Sequence, residues 1–341
     1  LRSRGLGDVY KRQGWECSRP LYFLSINILK RVKLMKHKSI SYAKWGYIFL
    51  IPFFLVYAVF QLYPLIITFV NSFKDYVVDR GSIAGGWTTQ STPTETITFC
   101  GFDNYVTIFK TPDIVHSFSN TIIIWLMGFI PQIIISLLLA TWFTDLRLKI
   151  KAQGFFKAII YLPNVIMASA IAFMFFTLFN TNGAMYEIVC KITGNNDTLL
   201  NSPWGTRGII AFINFLLWYG NTTILLMAAI MGVDTSLYES AQMDGANPTE
   251  IFWKITMPLI KPILSYVLVT SLIGGLQLYD VPALLTKDVG SPYMKGIPST
   301  MTLVMQIQTR KDSGVGLASA ICVVIFIISA ILGFLIIAMG N

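Results

Sequence analysis

Six long apolar runs, at about residues 45–70, 118–144, 155–180, 207–232, 263–286 and 314–340, govern what this chain can fold into. Each is at or above the roughly 20 residues that an α-helix needs to cross a bilayer. Lipid offers no partner to a backbone N–H or C=O, so runs of this length predict helices that span a membrane. Prolines inside them (Pro52, Pro64, Pro131, Pro163) would break soluble helices, but a surrounding bundle can satisfy the freed carbonyls, and they are read as kinks rather than ends. The composition agrees, because 54% apolar against 13% charged residues leaves too few charges for a water-soluble surface. The expected fold class is an all-α polytopic membrane protein with six transmembrane helices.

A net charge of +9 in a soluble chain would point to nucleic acid. In a membrane protein it is the placement of Lys and Arg that carries information, and no nucleic-acid partner is expected. The first 44 residues hold eleven Lys or Arg, and residues 145–157 hold Arg147, Lys149, Lys151 and Lys157, so both segments are expected in the cytoplasm. With six spans, both termini then lie inside. The loops at about 71–117, 181–206 and 287–313 carry thinner positive charge and are expected outside. The loop at 233–262 holds only Lys254 and Lys261 against Asp234, Glu239, Asp244 and Glu250, and only the alternation of spans places it inside.

Leu1 to Gln13 resembles a translated sequencing adapter, and Met35 makes a natural start. Residues 1–34 are therefore expected to be a non-native or disordered extension, 35–44 a basic cytoplasmic segment, and 45–341 the transmembrane permease domain. The chain stops at Asn341 directly after the sixth run, which reads as a truncation. Four cysteines (Cys17, Cys100, Cys190, Cys322) and two histidines (His37, His116) are too scattered for a metal cluster. A Cys100–Cys190 bridge between outer loops is one option, and unpaired thiols are the expected state.

The loop at 233–262 has consistent local signals. Asp234 or Thr235 can cap a short helix, and Gly245 tolerates the left-handed backbone that ends one. Asn247 can cap a second helix with Pro248 at its first position and Glu250 three residues after the cap. Two helices meeting at a fixed angle are predicted, the second leading through Phe252, Ile255 and Leu259 to Pro258 and Pro262, where the fifth span begins. The bland reading is a helix pair lying at the lipid headgroups.

Against it stands a pattern. Glu239-Ser240-Ala241, Asp244-Gly245-Ala246, Ile255 and Pro258 resemble the EAA motif of ABC-importer permeases, with Ser240 in place of the commonest Ala. Pro52 with Tyr63-Pro64, Gly101-Phe102-Asp103-Asn104-Tyr105, Gly154-Phe155-Phe156 with Leu162-Pro163, and Tyr279-Asp280 with Leu285-Thr286 are similar to the carbohydrate-uptake branch of that family. The resemblance covers about residues 40–340. It implies the type I importer permease fold in a bacterial or archaeal cell membrane, paired with a second permease subunit, two copies of a cytoplasmic ABC ATPase and an extracytoplasmic solute-binding protein. It also implies that the loop is a coupling helix, with Glu239, Ser240, Ala241, Asp244, Gly245, Ala246, Ile255 and Pro258 as its ATPase-coupling residues, and that the cargo is a sugar, oligosaccharide or glycerol-phosphate-type solute.

The chain has no G-x-x-x-x-G-K-[ST] phosphate loop, no H-E-x-x-H and no G-x-S-x-G, so no enzymatic activity and no cofactor of its own are expected, and ATP is used by the partner ATPase. The spans are read as free of buried charge, Asp280 being the nearest case, which disfavours a secondary carrier. Asn214, Trp218 and Asn221 share one face of span four, and Thr270, Gly274 and Gln277 share a face of span five. Amides beside an aromatic face suit a sugar, so Asn214, Trp218, Asn221 and Gln277 form the expected substrate path. The competing role for such residues is to bond one membrane helix to another. An importer permease for peptides or polyamines is the remaining alternative.

Overall fold

The computed structural model describes residues 43–79, 94–145, 151–180, 183–194, 199–286, 301–310 and 314–340. The expected extension over 1–34, all but the last two residues of the basic segment 35–44, and Arg147 and Lys149 lie outside the described residues. Contacts divide the chain into two units, residues 1–63 and 64–341. The described part of the first is helix α1 (Ala43–Tyr57), with Pro52 inside it, followed by a π-turn at Ala58–Leu62.

Helix α2 (Tyr63–Asn71) starts at the boundary, and a two-stranded antiparallel hairpin follows, β1 (Lys74–Asp79) with β2 (Thr94–Phe99), Lys74 opposite Phe99. The Gly101–Tyr105 element clamps this hairpin: Asn104 Nδ2 donates to Ser72 O at 2.9 Å and to Lys74 O at 3.0 Å. Then come α3 (Asp103–Lys110), α4 (Pro112–Thr144), α5 (Gln153–Val165), α6 (Ala168–Phe179), α7 (Tyr186–Thr193) and α8 (Pro203–Met231). The chain closes with α9 (Thr235–Met243), α10 (Pro248–Ile251), α11 (Met257–Leu276), α12 (Asp280–Thr286), α13 (Leu303–Thr309) and α14 (Val315–Gly340). Among the described residues, five helical stretches, or six if a bent pair counts as one, are long and apolar enough to cross a membrane.

The core of the second unit is the packing of α4 along α8. Between membrane helices association depends on small residues and interhelical hydrogen bonds, since lipid is as apolar as leucine. Gly128 lets the two backbones approach until an added Cβ would stand 3.0 Å from Ala211 O. Gln132 Nε2 then donates to Thr222 Oγ1 at 2.7 Å, and Ser136 Oγ donates to Tyr219 O at 2.9 Å. Helix α5 takes another side of α8: Asn164 Nδ2 donates to Leu217 O at 2.9 Å, and Gly220 leaves room for the Ile160 carbonyl where any side chain would collide with backbone. Overpacking against backbone cannot relax by rotamer change and costs about 1–3 kcal/mol. Gly220→Val is expected to lower the thermal unfolding midpoint in detergent by about 5 °C or more, a shift readable from tryptophan emission.

The structure departs from the sequence reading at two spans. The third apolar run is two helices, α5 and α6, bent by 84°. Pro163 sits in the last turn of α5, and Ile166 (ψ 137°) and Met167 (ψ 134°) are extended, so the helix ends just beyond this proline instead of running on through a kink. Pro131, by contrast, lies inside the unbroken α4. In the fifth run the helix stops at Leu276 and restarts at Asp280. Cys100, Cys190 and Cys322 are free thiols, so the Cys100–Cys190 bridge does not form.

Candidate functional site: a capped elbow and a cavity

Loop 233–262 folds from its caps outward. Asp234 Oδ1 accepts the Ser236 amide at 3.0 Å and starts α9. At the other end Gly245 adopts φ +79°, its amide bonds Gln242 O at 3.1 Å, and the Ala246 amide bonds Ala241 O at 3.0 Å. That pair of bonds is a Schellman stop, in which the left-handed residue turns the next amide back onto the last helical carbonyls. The motif residues Ala241, Asp244, Gly245 and Ala246 are thus brought together as one turn. Glu239 and Ser240 sit exposed on α9, and Ile255 and Pro258 lie on the other arm.

The second arm opens at Asn247, whose amide donates to Glu250 Oε2 at 3.1 Å, while Glu250 Oε1 pairs with Lys254 Nζ at 3.1 Å. It leads into Pro258 and Pro262, as the sequence reading has it, and it does so without a break. A π-turn at Phe252–Thr256 precedes Pro258, and the helix passes through Pro258 and Pro262 directly into α11. A wider turn ahead of proline gives its ring room beside the preceding carbonyls, so the helix continues although proline donates no hydrogen bond. Sequence reasoning missed Tyr238, whose hydroxyl lies 3.4 Å from Thr256 Oγ1 and joins the two arms; its place on α9, facing the proline-rich run, is the signal that could have found it.

The carboxyl of Asp234 is held below its ordinary value by the Ser236 amide, and that of Glu250 by the Asn247 amide and then by Lys254. A lowered folded value means that the caps help the elbow above the ordinary carboxylate pKa of about 4 and lose that help as pH falls through the lowered values. The Ser236 and Asn247 amide resonances should therefore hold their positions from about pH 7 to about pH 5 and move only below about pH 4. Movement of either near neutrality would contradict the capped geometry.

Further up the bundle, α4, α8, α11, the break at 277–279 and the start of α12 surround a cavity of about 560 Å³. Asn214, Trp218, Asn221 and Gln277 all lie on its wall, with Thr270 and Gly274. Gln277 is the C-terminal cap of α11, not part of a continuous helical face, because the span breaks there. Trp125 Nε1 donates to Ser271 Oγ at 3.1 Å and ties α4 to α11 at the rim. Gln132, which is also on the wall, and Ser136 and Asn164 make further interhelical bonds. Among the described residues, neither Asn221 nor Gln277 bonds another helix through its side chain, while Asn214 Nδ2 donates to Ile210 O in its own helix at 3.1 Å.

The expectation that no charge is buried in the spans fails at one position. Arg207 opens the fourth apolar run, lies in the second turn of α8, which starts at Pro203, and is only 7% exposed. Its Nη2 donates to Asn120 Oδ1 at 2.5 Å, and its guanidinium lies 4.8 Å from the centre of the Trp204 ring. This supported arginine lies away from the cavity wall and ties α8 to α4.

The second unit is thus a helical bundle with apolar spans, a largely apolar cavity that carries several amides, and a capped elbow at one end. The chain belongs to the family of binding-protein-dependent transport system inner membrane components, whose family model matches residues 132–339. It is similar to the lactose transport system permease protein LacF of Rhizobium radiobacter, 28% identical over 85% of this chain and 92% of that one. It is also similar to the arabinooligosaccharides transport system permease protein AraP of Bacillus subtilis, 29% identical over 83% and 84%. In fold it matches the crystal structure of a bacterial ABC transporter involved in the import of the acidic polysaccharide alginate, with a TM-score of 0.69, 21% identity, and coverage of 89% of this chain and 97% of that one. The protein is accordingly a multi-pass membrane permease subunit of an ABC importer and not an enzyme.

Proposed function

We propose that this subunit forms half of the passage for a neutral-to-polar sugar or oligosaccharide, with a second permease as the other half and a pair of cytoplasmic ATPases beneath the elbow. The observation that carries the mechanical part is continuity: from Pro248 to Leu276 the second arm of the elbow and the fifth span are one helical run, and its cap, Gln277, lies on the cavity wall. At 1.5 Å per residue that run spans roughly 40 Å. Displacement of α9 by a closing ATPase is therefore delivered to the cavity by a stiff rod, and the stop at Gly245 and the Tyr238–Thr256 contact keep the angle between the arms. On this reading Glu239, Ser240, Ala241, Asp244, Gly245, Ala246, Ile255 and Pro258 serve the ATPase joint, and the elbow end of the bundle is cytoplasmic, with both termini on that side.

The cavity supports the sugar assignment by its chemistry. Amides from Asn214, Asn221 and Gln277 offer donors and acceptors for hydroxyl groups, and Trp218 offers a face for the apolar side of a pyranose. The names of the relatives LacF and AraP point the same way. The complete transporter, reconstituted with its solute-binding protein, should take up a neutral saccharide only when ATP is supplied. Uphill sugar uptake by this chain alone, or uptake of peptides or polyamines with sugars refused, would overturn the assignment.

A further inference from the structure

We propose that Asp280 makes the cavity selective for neutral sugars over acidic ones. The inference rests on reading the cavity as the sugar passage and goes beyond it by fixing the charge class of the cargo. Among the described residues on the cavity wall, Asp280 is the one with a charged side chain. The other polar groups on the wall are amides and hydroxyls such as those of Asn221, Ser271 and Gln277, which carry no positive charge. Asp280 stands where span five is broken, three residues beyond the Gln277 cap and at the first position of α12. The break is what brings a carboxylate to the wall without burying it in the helix.

One negative charge at that place acts in two ways. At ~6 Å and an effective permittivity of about 40, between water and protein interior, like charges oppose one another by about tenfold in affinity. A uronic acid is disfavoured by that factor. Toward a neutral sugar the same carboxylate accepts two hydroxyl hydrogens, and such charge-assisted bonds are stronger than those an amide makes. The neighbouring Tyr279 supplies ring surface on the same wall. The plainer role for Asp280 is to favour the first turn of α12 by its charge. Asp280→Asn removes that charge as well, but a weakened first turn would tell on both classes of sugar alike, so a change in their order separates the two roles.

The test is equilibrium dialysis on the purified complete transporter in nanodiscs, without its solute-binding protein, against a panel of labelled neutral disaccharides that includes lactose, and against digalacturonate. The wild-type complex is expected to bind at least one neutral disaccharide about tenfold or more tightly than digalacturonate. Asp280→Asn should weaken the neutral sugar by about threefold or more while strengthening digalacturonate by about tenfold. Asp280→Glu, which keeps the charge, should preserve the wild-type order. A loss of equal size for both sugars in Asp280→Asn, or no change in either, would overturn the proposal and leave Asp280 a helix-start residue. A wild-type complex that binds no neutral sugar, yet imports another solute with ATP, would instead sink the sugar reading itself and this proposal with it.

Discussion

Gly245→Val is expected to leave the protein folded and inserted while lowering ATP-driven uptake at least about tenfold. The reason is conformational and not steric. A Cβ added at Gly245 would meet no atom within 4 Å, so there is room for a side chain, yet φ stands at +79°. An L-residue pays about 1–2 kcal/mol to remain left-handed, and a β-branched one more. If the backbone relaxes to negative φ, the bonds from the Gly245 and Ala246 amides back to Gln242 and Ala241 break, and the angle between the arms is no longer held. Asparagine and aspartate tolerate this region better than most residues. The expected order of uptake is thus Gly, then Asn and Asp, then Ala, then Val, with ATP hydrolysis retained by the ATPase throughout. The order is diagnostic, because a surface that merely needs a small residue would rank Ala above Asn. Equal uptake by the Val and Asn variants would remove Gly245 from the coupling joint.

The sequence made the class of fold and the caps of the elbow readable, for one physical reason. Both are set locally: span length by the bilayer, and the elbow by side chains within three residues of the amides they satisfy, as Asp234 does for Ser236 and Glu250 for Asn247. The features that escaped it depend on neighbours. Pro131 and Pro163 look alike in sequence, yet one lies within a continuous helix and the other ends one at an 84° bend, because the direction of the chain after Pro163 is decided by how α5 and α6 pack against α8. The break at Gln277 has the same origin, and so does the joining of the elbow to span five through a π-turn. Arg207 stands at the first position of its apolar run, where a charge reads as a flank at the membrane surface, and its burial comes from a helix that begins four residues sooner and from Asn120 on the neighbouring helix. The fold puts Asn221 and Gln277, from two different helices, on one cavity wall, and their part in transport is a matter for transport measurements.

Those measurements carry the second large effect. Replacing Asn221 and Gln277 together by Ala should raise the apparent KM for the transported sugar roughly 30-fold while changing maximal uptake little. The magnitude comes from the asymmetry of hydrogen bonding in a confined site. Each amide contributes only about 0.5–1.5 kcal/mol when paired, but a sugar hydroxyl that has left water and finds no partner loses about 1–3 kcal/mol. Two such losses, partly relieved by water entering the enlarged cavity, leave about 2 kcal/mol, or some 30-fold. The effect should stay out of the maximal rate because neither residue contacts the elbow: Gln277 caps the far end of the rod, and Asn221 lies on α8, which ends at Met231 ahead of the capped turn. Should these amides serve only to hold helices together, the double variant would instead lower the unfolding midpoint and leave KM in place. Gln132→Ala provides the internal comparison, since its amide donates to Thr222 across the α4–α8 seam at 2.7 Å and its loss is expected to tell on stability first. A KM unchanged by the double substitution, with the protein still fully folded, would remove Asn221 and Gln277 from the path of the sugar.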